Sequence, residues 1–219
     1  MQPIASDKAL AAMNVEAAKI SEEEIRQVCR AGDFRAAASL TLQCYRGEML
    51  SFLVWRLRSQ SDGEEALAML AEDLWSGIGA FEWRCTIRTW LYVLARNAAA
   101  RLMKSSHARI QRNMCDAADE QLAGVLDVER TRTQAYRRTD VKELIRELRK
   151  ELAPEDQLLL VLRIDRGLSW QELAIAVNGD VALYGEQLKR ESARLRQCFQ
   201  RSKQELRKLA AERGLFRED

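Results

Sequence analysis

Helix-breaking residues and long apolar runs are scarce in this chain. Its 219 residues include only 2 prolines and 10 glycines, whereas 47% of the residues are hydrophobic and 31% are charged. This composition excludes collagen-like, low-complexity and wholly disordered proteins, and it predicts a mostly helical protein of one or two domains. The longest aliphatic run, Leu158 to Leu162, is far shorter than the roughly 18 to 20 apolar residues that cross a membrane. We therefore predict no membrane insertion.

Residues that mark secretion, disulfides or metal sites are also few. The N-terminal stretch MQPIASDKALAAMNV lacks the apolar core of a signal peptide, so a cytoplasmic location is expected. The five cysteines are scattered, never form a Cys-x-x-Cys pair and do not lie near the single histidine, His107. They are predicted to be reduced, mostly packed thiols, and no disulfide framework or metal site is expected.

Motifs that carry catalysis are missing as well. The sequence has no glycine-rich phosphate loop, no nucleophile elbow and no metal-spaced set of His and Cys. Adjacent acids such as Glu64 and Glu65 point to different sides of a helix, which is poor geometry for acid and base catalysis on one substrate. We predict that the protein is not an enzyme, with no catalytic residue and no cofactor.

Charge is present in distinct blocks along the chain. The net charge is only +2, yet residues 62–82 contain six acids and no base, and residues 83–115 contain seven bases and no acid. A second basic block at residues 189–208 has eight bases and two acids. Two basic segments indicate two places where the phosphates of a nucleic acid could be neutralised. Solvated helix faces are the alternative explanation.

Apolar residues recur at helical spacing through most of the chain. They lie mostly three and four residues apart over residues 34–58, and further helices are predicted over residues 63–77 and from Ile87 onward, with a loop at residues 82–86 between them. We predict an all-α fold of two helical domains joined by a flexible linker. The predicted parts are a tail at 1–20, a first domain at 21–104, a linker at 105–139 and a second domain at 140–219.

A helix-turn-helix is predicted in the second domain. Ser169 and Glu172 form a capping box at the head of a short helix. The next helix is predicted from Ser192 to about Glu212, after a long connection over residues 179–191. In a helix-turn-helix the second helix lies in the major groove, where Arg pairs with guanine and Gln with adenine. The alternative is an ordinary helical hairpin with a basic exposed face.

The stretch FEWRCTIRTWLYVLARN, from Phe81 to Asn97, interleaves aromatic with basic residues. Aromatic surfaces beside cations suit unpaired bases, which offer faces for stacking and a nearby phosphate. Trp90 and Leu91 are expected to be core residues. Trp83 lies in the predicted loop, so it is expected to be more available to a partner.

The acidic block, the aromatic and basic stretch and the predicted helix-turn-helix follow one another along the chain. In this order they resemble an RNA polymerase sigma factor of the extracytoplasmic-function (group IV) subfamily. The resemblance covers about residues 25–209. DGEEALAMLAEDLWSGIGAF is similar to a segment of the family's first conserved domain, and FEWRCTIRTWLYVLARN resembles its most characteristic motif. LAPEDQLLLVLRIDRGLSWQELA and LRQCFQRSKQELRKL resemble the promoter-reading C-terminal domain. The resemblance implies a factor that binds core RNA polymerase, through its β and β′ subunits, and directs promoter-specific transcription initiation.

The resemblance also implies roles for particular residues. Residues that would bind the coiled coil of the β′ subunit are Asp62, Glu64 and Glu65. Residues that would hold minus-ten DNA, as a pocket for a flipped base or as phosphate contacts, are Trp83, Arg84, Thr86, Arg88, Arg96, Asn97 and Lys104. Residues that would read the minus-thirty-five DNA are Arg194, Arg196, Gln197, Gln200, Arg201 and Lys203. An anti-sigma protein that regulates the factor is a further hypothesis.

The chain departs from the family pattern at several positions. Ala68 and Met69 replace a common Gln-Glu pair, and Ala71 replaces a common aromatic residue, which puts the usual β′ contact in doubt. Arg101 stands where an acid is common. A second register, with residues 188–195 as the recognition segment, is an alternative to the one above.

Two other functions are compatible with the sequence. A helix-turn-helix regulator would bind duplex DNA without polymerase. It would have no use for the acidic helix that follows Asp62 or for the FEWRCTIRTWLYVLARN loop. An interaction protein with the sigma fold would instead sequester a partner.

Overall fold

Every regular element among the described residues is a helix, which confirms the predicted all-α class. The computed structural model describes residues 22–112 and 147–213. The chain separates into two compact units, here termed the N-terminal and C-terminal units, which divide between Leu126 and Asp127. The predicted tail at 1–20 and most of the predicted linker lie outside the described residues. No described helix is both long and apolar enough to span a membrane.

Four α-helices build the described part of the N-terminal unit. They are α1 (Glu22–Arg30), α2 (Phe34–Leu57), α3 (Gln60–Gly77) and α4 (Ile87–Arg112), with a 3-10 turn at Ile78–Ala80. Helices α2, α3 and α4 pack against one another, and α1 packs on α2. Apolar side chains from all three larger helices form the core, because each helix has an apolar stripe at a spacing of three and four residues. Fully buried members include Phe52, Leu70 and Leu91.

The helix ends of the N-terminal unit follow local sequence signals. The carboxylate of Asp33 accepts the N–H of Ala36 at 2.9 Å, which caps α2. Helix α3 begins at Gln60, three residues before its predicted start, because the hydroxyl of Ser59 accepts the N–H of Asp62 at 3.2 Å. Helix α4 continues past Lys104 to Arg112, into the segment predicted as a linker.

The described part of the C-terminal unit begins with a helical segment at residues 147–151, and three α-helices follow it. Helix α5 (Pro154–Leu160) continues as a π-helical turn (Val161–Asp165), and α6 (Trp170–Asn178) and α7 (Gly185–Glu212) follow. Helix α7 packs on both α5 and α6. The capping box of α6 is confirmed, since Ser169 accepts the N–H of Glu172 and the Glu172 carboxylate accepts the N–H of Ser169.

The predicted start of α7 at Ser192 is wrong, and so is the long connection before it. Helix α7 begins at Gly185. Ser192 is buried inside the helix, where its hydroxyl donates to the carbonyl oxygen of Trp170 at 3.2 Å. A serine that resembles a helix cap in sequence therefore bonds across to α6 instead. The connection between the two helices is shortened to residues 179–184, which brings the pair closer to a compact helix-turn-helix.

Loss of the α6 capping box should loosen α6 measurably. Replacing Ser169 by Ala removes the acceptor for one N–H at the helix start, and we expect a loss of about 1 kcal/mol. Native-state hydrogen exchange of the α6 amides would measure it. Ser39→Ala, at an exposed position inside α2, is the control. Equal exchange of α6 in both variants would show that the cap contributes nothing.

Candidate nucleic-acid interface

An aromatic stack anchors the loop at residues 81–86, which precedes α4 and is here termed the aromatic loop. The rings of Phe81 and Trp90 lie parallel, with centroids 4.4 Å apart and 6° between their planes. Trp90 is buried, as predicted. Gly77 allows this close packing, because an added Cβ there would lie 3.1 Å from the indole of Trp90. The stack fixes the start of the loop against the core of the N-terminal unit.

Trp83 lies in the loop as predicted, but it has partners of its own. Its ring centroid is 5.0 Å from that of Phe81. The guanidinium carbon of Arg26, from α1, lies 5.4 Å from the Trp83 ring. The backbone of Trp83 is left-handed, with φ of +57°, a conformation that costs a residue with a side chain about 1 to 2 kcal/mol. These contacts hold Trp83 half-buried in a strained conformation.

Arg88 lies in an internal ion-pair network rather than on an open surface. Its Nη2 and Nε lie 2.5 Å and 3.0 Å from Oε1 of Glu48 on α2. The hydroxyl of Tyr92 donates to the same carboxylate oxygen at 2.6 Å. Only 31% of the Arg88 side chain and 21% of the Glu48 side chain are exposed. Arg88 thus has its charge balanced by an acid 40 residues earlier in the chain.

The two other loop residues predicted to hold DNA also have local partners. Arg84 forms an exposed ion pair with Glu82 at 2.6 Å. The hydroxyl of Thr86 accepts the N–H of Thr89 at 3.1 Å, as an N-cap does. Thr86 therefore caps the start of α4. Because Arg84 is paired with Glu82, the loop has less positive charge available for phosphates than its sequence predicts.

The exposed face of α4 brings together other predicted residues. Asn97, Arg101 and Lys104 are exposed and follow one another at i, i+4 and i+7, so they lie in one line along the helix. Arg101 is paired with Asp73 of α3 at 2.6 Å. Arg96 is half-buried beside this line, and neither Arg96 nor Lys104 has an acidic partner among residues 22–112. The amide of Asn97 and the cations of Arg96 and Lys104 are therefore available to a nucleic-acid strand that runs along α4.

This line and the loop before α4 lie at different positions along the chain and do not form a single pocket. Asn97 is ten residues beyond Ile87, which places it about 15 Å along the helix axis from the helix start. A nucleic-acid strand that touches both would have to extend along α4.

The predicted acidic site is at the start of α3. Glu64 and Glu65 are exposed, whereas Asp62 is half-buried. The amide of Gln60 donates to Glu64 at 2.6 Å. Near the other end of α3, an open groove is lined by Leu42, Ala71, Glu72, Trp75 and Ser76. The side chain of Trp75 in this groove is largely exposed, so α3 offers an acidic end and an apolar end.

In the C-terminal unit, α7 presents the predicted minus-thirty-five residues on two faces. Arg194, Gln197 and Arg201 are exposed and recur at i, i+3 and i+7, so they form one outward stripe. Gln200 is also exposed, on the next stripe around the helix, which includes the two other predicted residues, Arg196 and Lys203.

Arg196 and Lys203 lie against aromatic rings. The guanidinium carbon of Arg196 is 5.7 Å from the Trp170 ring, and the ammonium of Lys203 is 5.8 Å from the Phe199 ring. Arg163 also contacts Trp170, at 4.7 Å. These contacts orient the cations at the side of α7 nearer to α6, whereas the outward stripe carries the residues best placed to enter a groove.

Helix α7 also exposes bases that the sequence reasoning missed. Lys189 and Arg190 are exposed in its first two turns. They were missed because the predicted helix began at Ser192. Arg190 precedes Arg194 by four residues, so it extends the outward stripe. The alternative register at residues 188–195 lies in this part of α7. The basic block at residues 189–208 was the sequence signal that could have identified Lys189 and Arg190.

Two cysteines of the N-terminal unit, Cys29 and Cys44, have thiols of low reactivity. Burial raises the pKa of the Cys29 thiol, and burial together with the negative charge of Glu24 raises the pKa of the Cys44 thiol. Thiols with a raised pKa form little of the reactive thiolate at neutral pH. Within residues 22–105 and 147–213, no three His, Cys, Asp or Glu side chains are grouped so that they could hold a metal ion.

Comparison with family models and curated proteins does not assign the chain to a family. No family model matches the chain, and a search of curated proteins finds no match.

Proposed function

We propose that the protein is a sigma factor of the extracytoplasmic-function type, which binds core RNA polymerase and directs promoter-specific initiation. One observation carries the proposal: each unit has an exposed helix face with the chemistry of nucleic-acid binding. In the N-terminal unit that face is Asn97 with Lys104 beyond the aromatic loop. In the C-terminal unit it is the stripe through Arg194, Gln197 and Arg201. Two such faces suit a protein that holds two promoter elements at once.

Each face has a separate task in this proposal. Helix α7 reads duplex DNA of the minus-thirty-five element in the major groove. The aromatic loop and α4 hold the melted minus-ten strand, with the amide of Asn97 near a base and Arg96 and Lys104 near phosphates. The exposed acids Glu64 and Glu65 meet the β′ subunit. The protein works in the cytoplasm, without catalytic activity of its own, and a separate anti-sigma protein is its proposed regulator.

A polymerase-independent helix-turn-helix regulator is the second candidate, and it is supported by the short connection between α6 and α7 and by the exposed bases of α7. In the N-terminal unit Arg84, Arg88 and Arg101 each have an acidic partner. On α7, Lys189 and Arg194 are paired with Glu186 and Glu191. Arg190 and Arg201 are exposed there and have no acidic partner within residues 147–213. A protein that uses only α6 and α7 on duplex DNA would leave the N-terminal unit free for another purpose.

Polymerase binding separates the two candidates. The purified chain would be mixed with bacterial core RNA polymerase and run on size exclusion at a stated, moderate salt concentration. Comigration is the result expected for a sigma factor. A folded, partner-free chain that migrates alone and still binds duplex DNA would favour the polymerase-independent regulator.

Substitutions on the two faces should affect initiation in different ways. We expect Arg201→Ala and Asn97→Ala each to lower promoter-dependent initiation about tenfold, since one specific base contact contributes about 1 to 3 kcal/mol. Run-off transcription with the reconstituted holoenzyme would measure this. Arg201→Ala should also weaken binding to promoter duplex, whereas Asn97→Ala should act only on strand opening.

Two exposed, uncharged positions provide matched controls. Gln204→Ala on α7 and Gln43→Ala on α2 replace exposed side chains of similar size, and both variants should initiate normally. If Asn97→Ala and Arg201→Ala also initiate normally, neither face reads the promoter, and an interaction protein with this fold becomes the better hypothesis.

A further inference from the structure

Helix α1 contacts Trp83 in the aromatic loop and Ile87, the residue that follows the loop. The carboxylate of Glu22 accepts the N–H of Ile87, the first residue of α4, at 2.8 Å. One turn further along α1, the guanidinium of Arg26 lies 5.4 Å from the ring of Trp83. The two contacts span residues 83–87, so one short helix secures the loop that precedes α4.

The contact of Glu22 suits the electrostatics of the start of α4. The first N–H groups of a helix have no partner within the helix, and the aligned peptide dipoles place a partial positive charge there. Thr86 accepts the N–H of Thr89, and Glu22 accepts the N–H of Ile87. A carboxylate from α1 thus completes the cap of a helix that is 26 residues long.

The contact of Arg26 suits the strain at Trp83. The left-handed backbone of Trp83, with φ of +57°, persists only where the surroundings hold it. Phe81 and Arg26 both contact the indole. The guanidinium is attracted to the face of the indole ring. Without Arg26, the loop would have more conformations to lose when it binds a strand.

We propose that Glu22 and Arg26 are positioning residues that fix the aromatic loop in the conformation that accepts single-stranded DNA. This inference rests on the proposed function of the loop. Neither residue belongs to the segments that sequence reasoning linked to DNA. Their effect is preorganisation: a loop that is already ordered loses less conformational freedom on binding, so its affinity is higher.

Fluorine NMR of the full chain labelled with fluorotryptophan tests the first half of the proposal. The resonance of Trp83 is assigned by its loss in Trp83→Phe. We expect Arg26→Met and Glu22→Ala to shift and broaden it. The conservative variants Arg26→Lys and Glu22→Gln keep a cation or an acceptor, so they should restore most of the wild-type signal. Arg30→Met and Glu23→Gln, at exposed positions of the same helix, are the matched controls and should leave it unchanged.

Affinity for DNA tests the second half. Binding of a short, labelled single strand of mixed sequence would be measured by fluorescence anisotropy, for the chain alone and with core polymerase. We expect Arg26→Met to bind about fivefold more weakly than wild type. The loss arises because the freed side chain of Trp83 must be ordered when the strand binds. Arg26→Lys should recover most of the affinity, and Arg30→Met should match wild type.

The two measurements distinguish failure of this inference from failure of the proposed function. An unchanged Trp83 resonance in Arg26→Met and Glu22→Ala overturns the positioning role. A changed resonance with wild-type DNA affinity overturns the link to binding. If wild-type protein binds no single strand while the resonance still moves, α1 does position the loop, and it is the proposed function of the loop that fails.

Discussion

Replacing Glu48 by Ala is expected to lower the free energy of unfolding of the N-terminal unit by about 3 kcal/mol. The substitution removes the carboxylate that accepts hydrogen bonds from both Arg88 and Tyr92. Breaking a buried ion pair leaves a charge without its counterpart, at a cost of about 3 to 5 kcal/mol. Solvent still reaches part of Arg88, so the lower end of that range applies.

Urea denaturation followed by tryptophan fluorescence would measure this loss, because four of the five tryptophans belong to the N-terminal unit. Glu65→Ala, at an exposed position, is the control and should change stability by less than about 0.5 kcal/mol. Adding Arg88→Met to Glu48→Ala should cost little more, since the two residues act as one unit.

The same variants determine what Arg88 does. The sequence resemblance places Arg88 among the residues that hold minus-ten DNA, whereas the structure pairs it with Glu48. If Arg88→Met lowered DNA binding without lowering stability, Arg88 would act on DNA and the Glu48 pair would be incidental. A loss of stability in both single variants, with strong coupling between them, would establish the pair as structural.

Substitutions of two helical glycines by Ala should have opposite effects. At Gly63, on α3, an added Cβ would lie 2.5 Å from Cγ2 of Val54 and 3.1 Å from its Cα. Valine is branched at Cβ and cannot swing its methyl group away, so α2 and α3 would have to separate. We expect Gly63→Ala to lower stability by about 2 kcal/mol, within the range for overpacked cores.

Gly47 is the matched position, on α2. An added Cβ there meets nothing within 4 Å. Because Ala favours a helix more than Gly does, Gly47→Ala should raise stability by about 0.5 to 1 kcal/mol. The same urea denaturation would measure both variants. Stabilisation by both substitutions would mean that α2 and α3 are not as closely packed as the Gly63 contact requires.

Features that depend on neighbouring residues were predictable from sequence. The caps at Asp33 and Ser169 are made by side chains three residues from the N–H groups they accept, so a short sequence motif contains both partners. The left-handed conformation of Gly32, with φ of +82°, also has a local cause. The inward faces of α4 and α7 follow from apolar spacing alone.

Features that depend on distant residues were not predictable. The partner of Arg88 lies 40 residues away, and that of Ile87 lies 65 residues away. Periodicity shows which face of a helix is apolar, but it gives no information about which acid meets which base across the core. The start of α7 was missed for a related reason: the hydroxyl of Ser192 bonds to a carbonyl oxygen 22 residues earlier.

The ion pairs of the N-terminal unit also bear on how binding depends on ions in solution. Five bases lie between residues 84 and 104, and three of them, Arg84, Arg88 and Arg101, are each matched by an acid. A basic residue that already has an acidic partner releases few counterions when it meets a single strand. Each phosphate that is neutralised steepens the fall of log affinity with log salt concentration by about 0.7. If residues 84–104 bind a single strand as proposed, counterion release there would follow Arg96 and Lys104 rather than all five bases, so the affinity would fall less steeply with salt than it does for a surface whose bases are all unpaired.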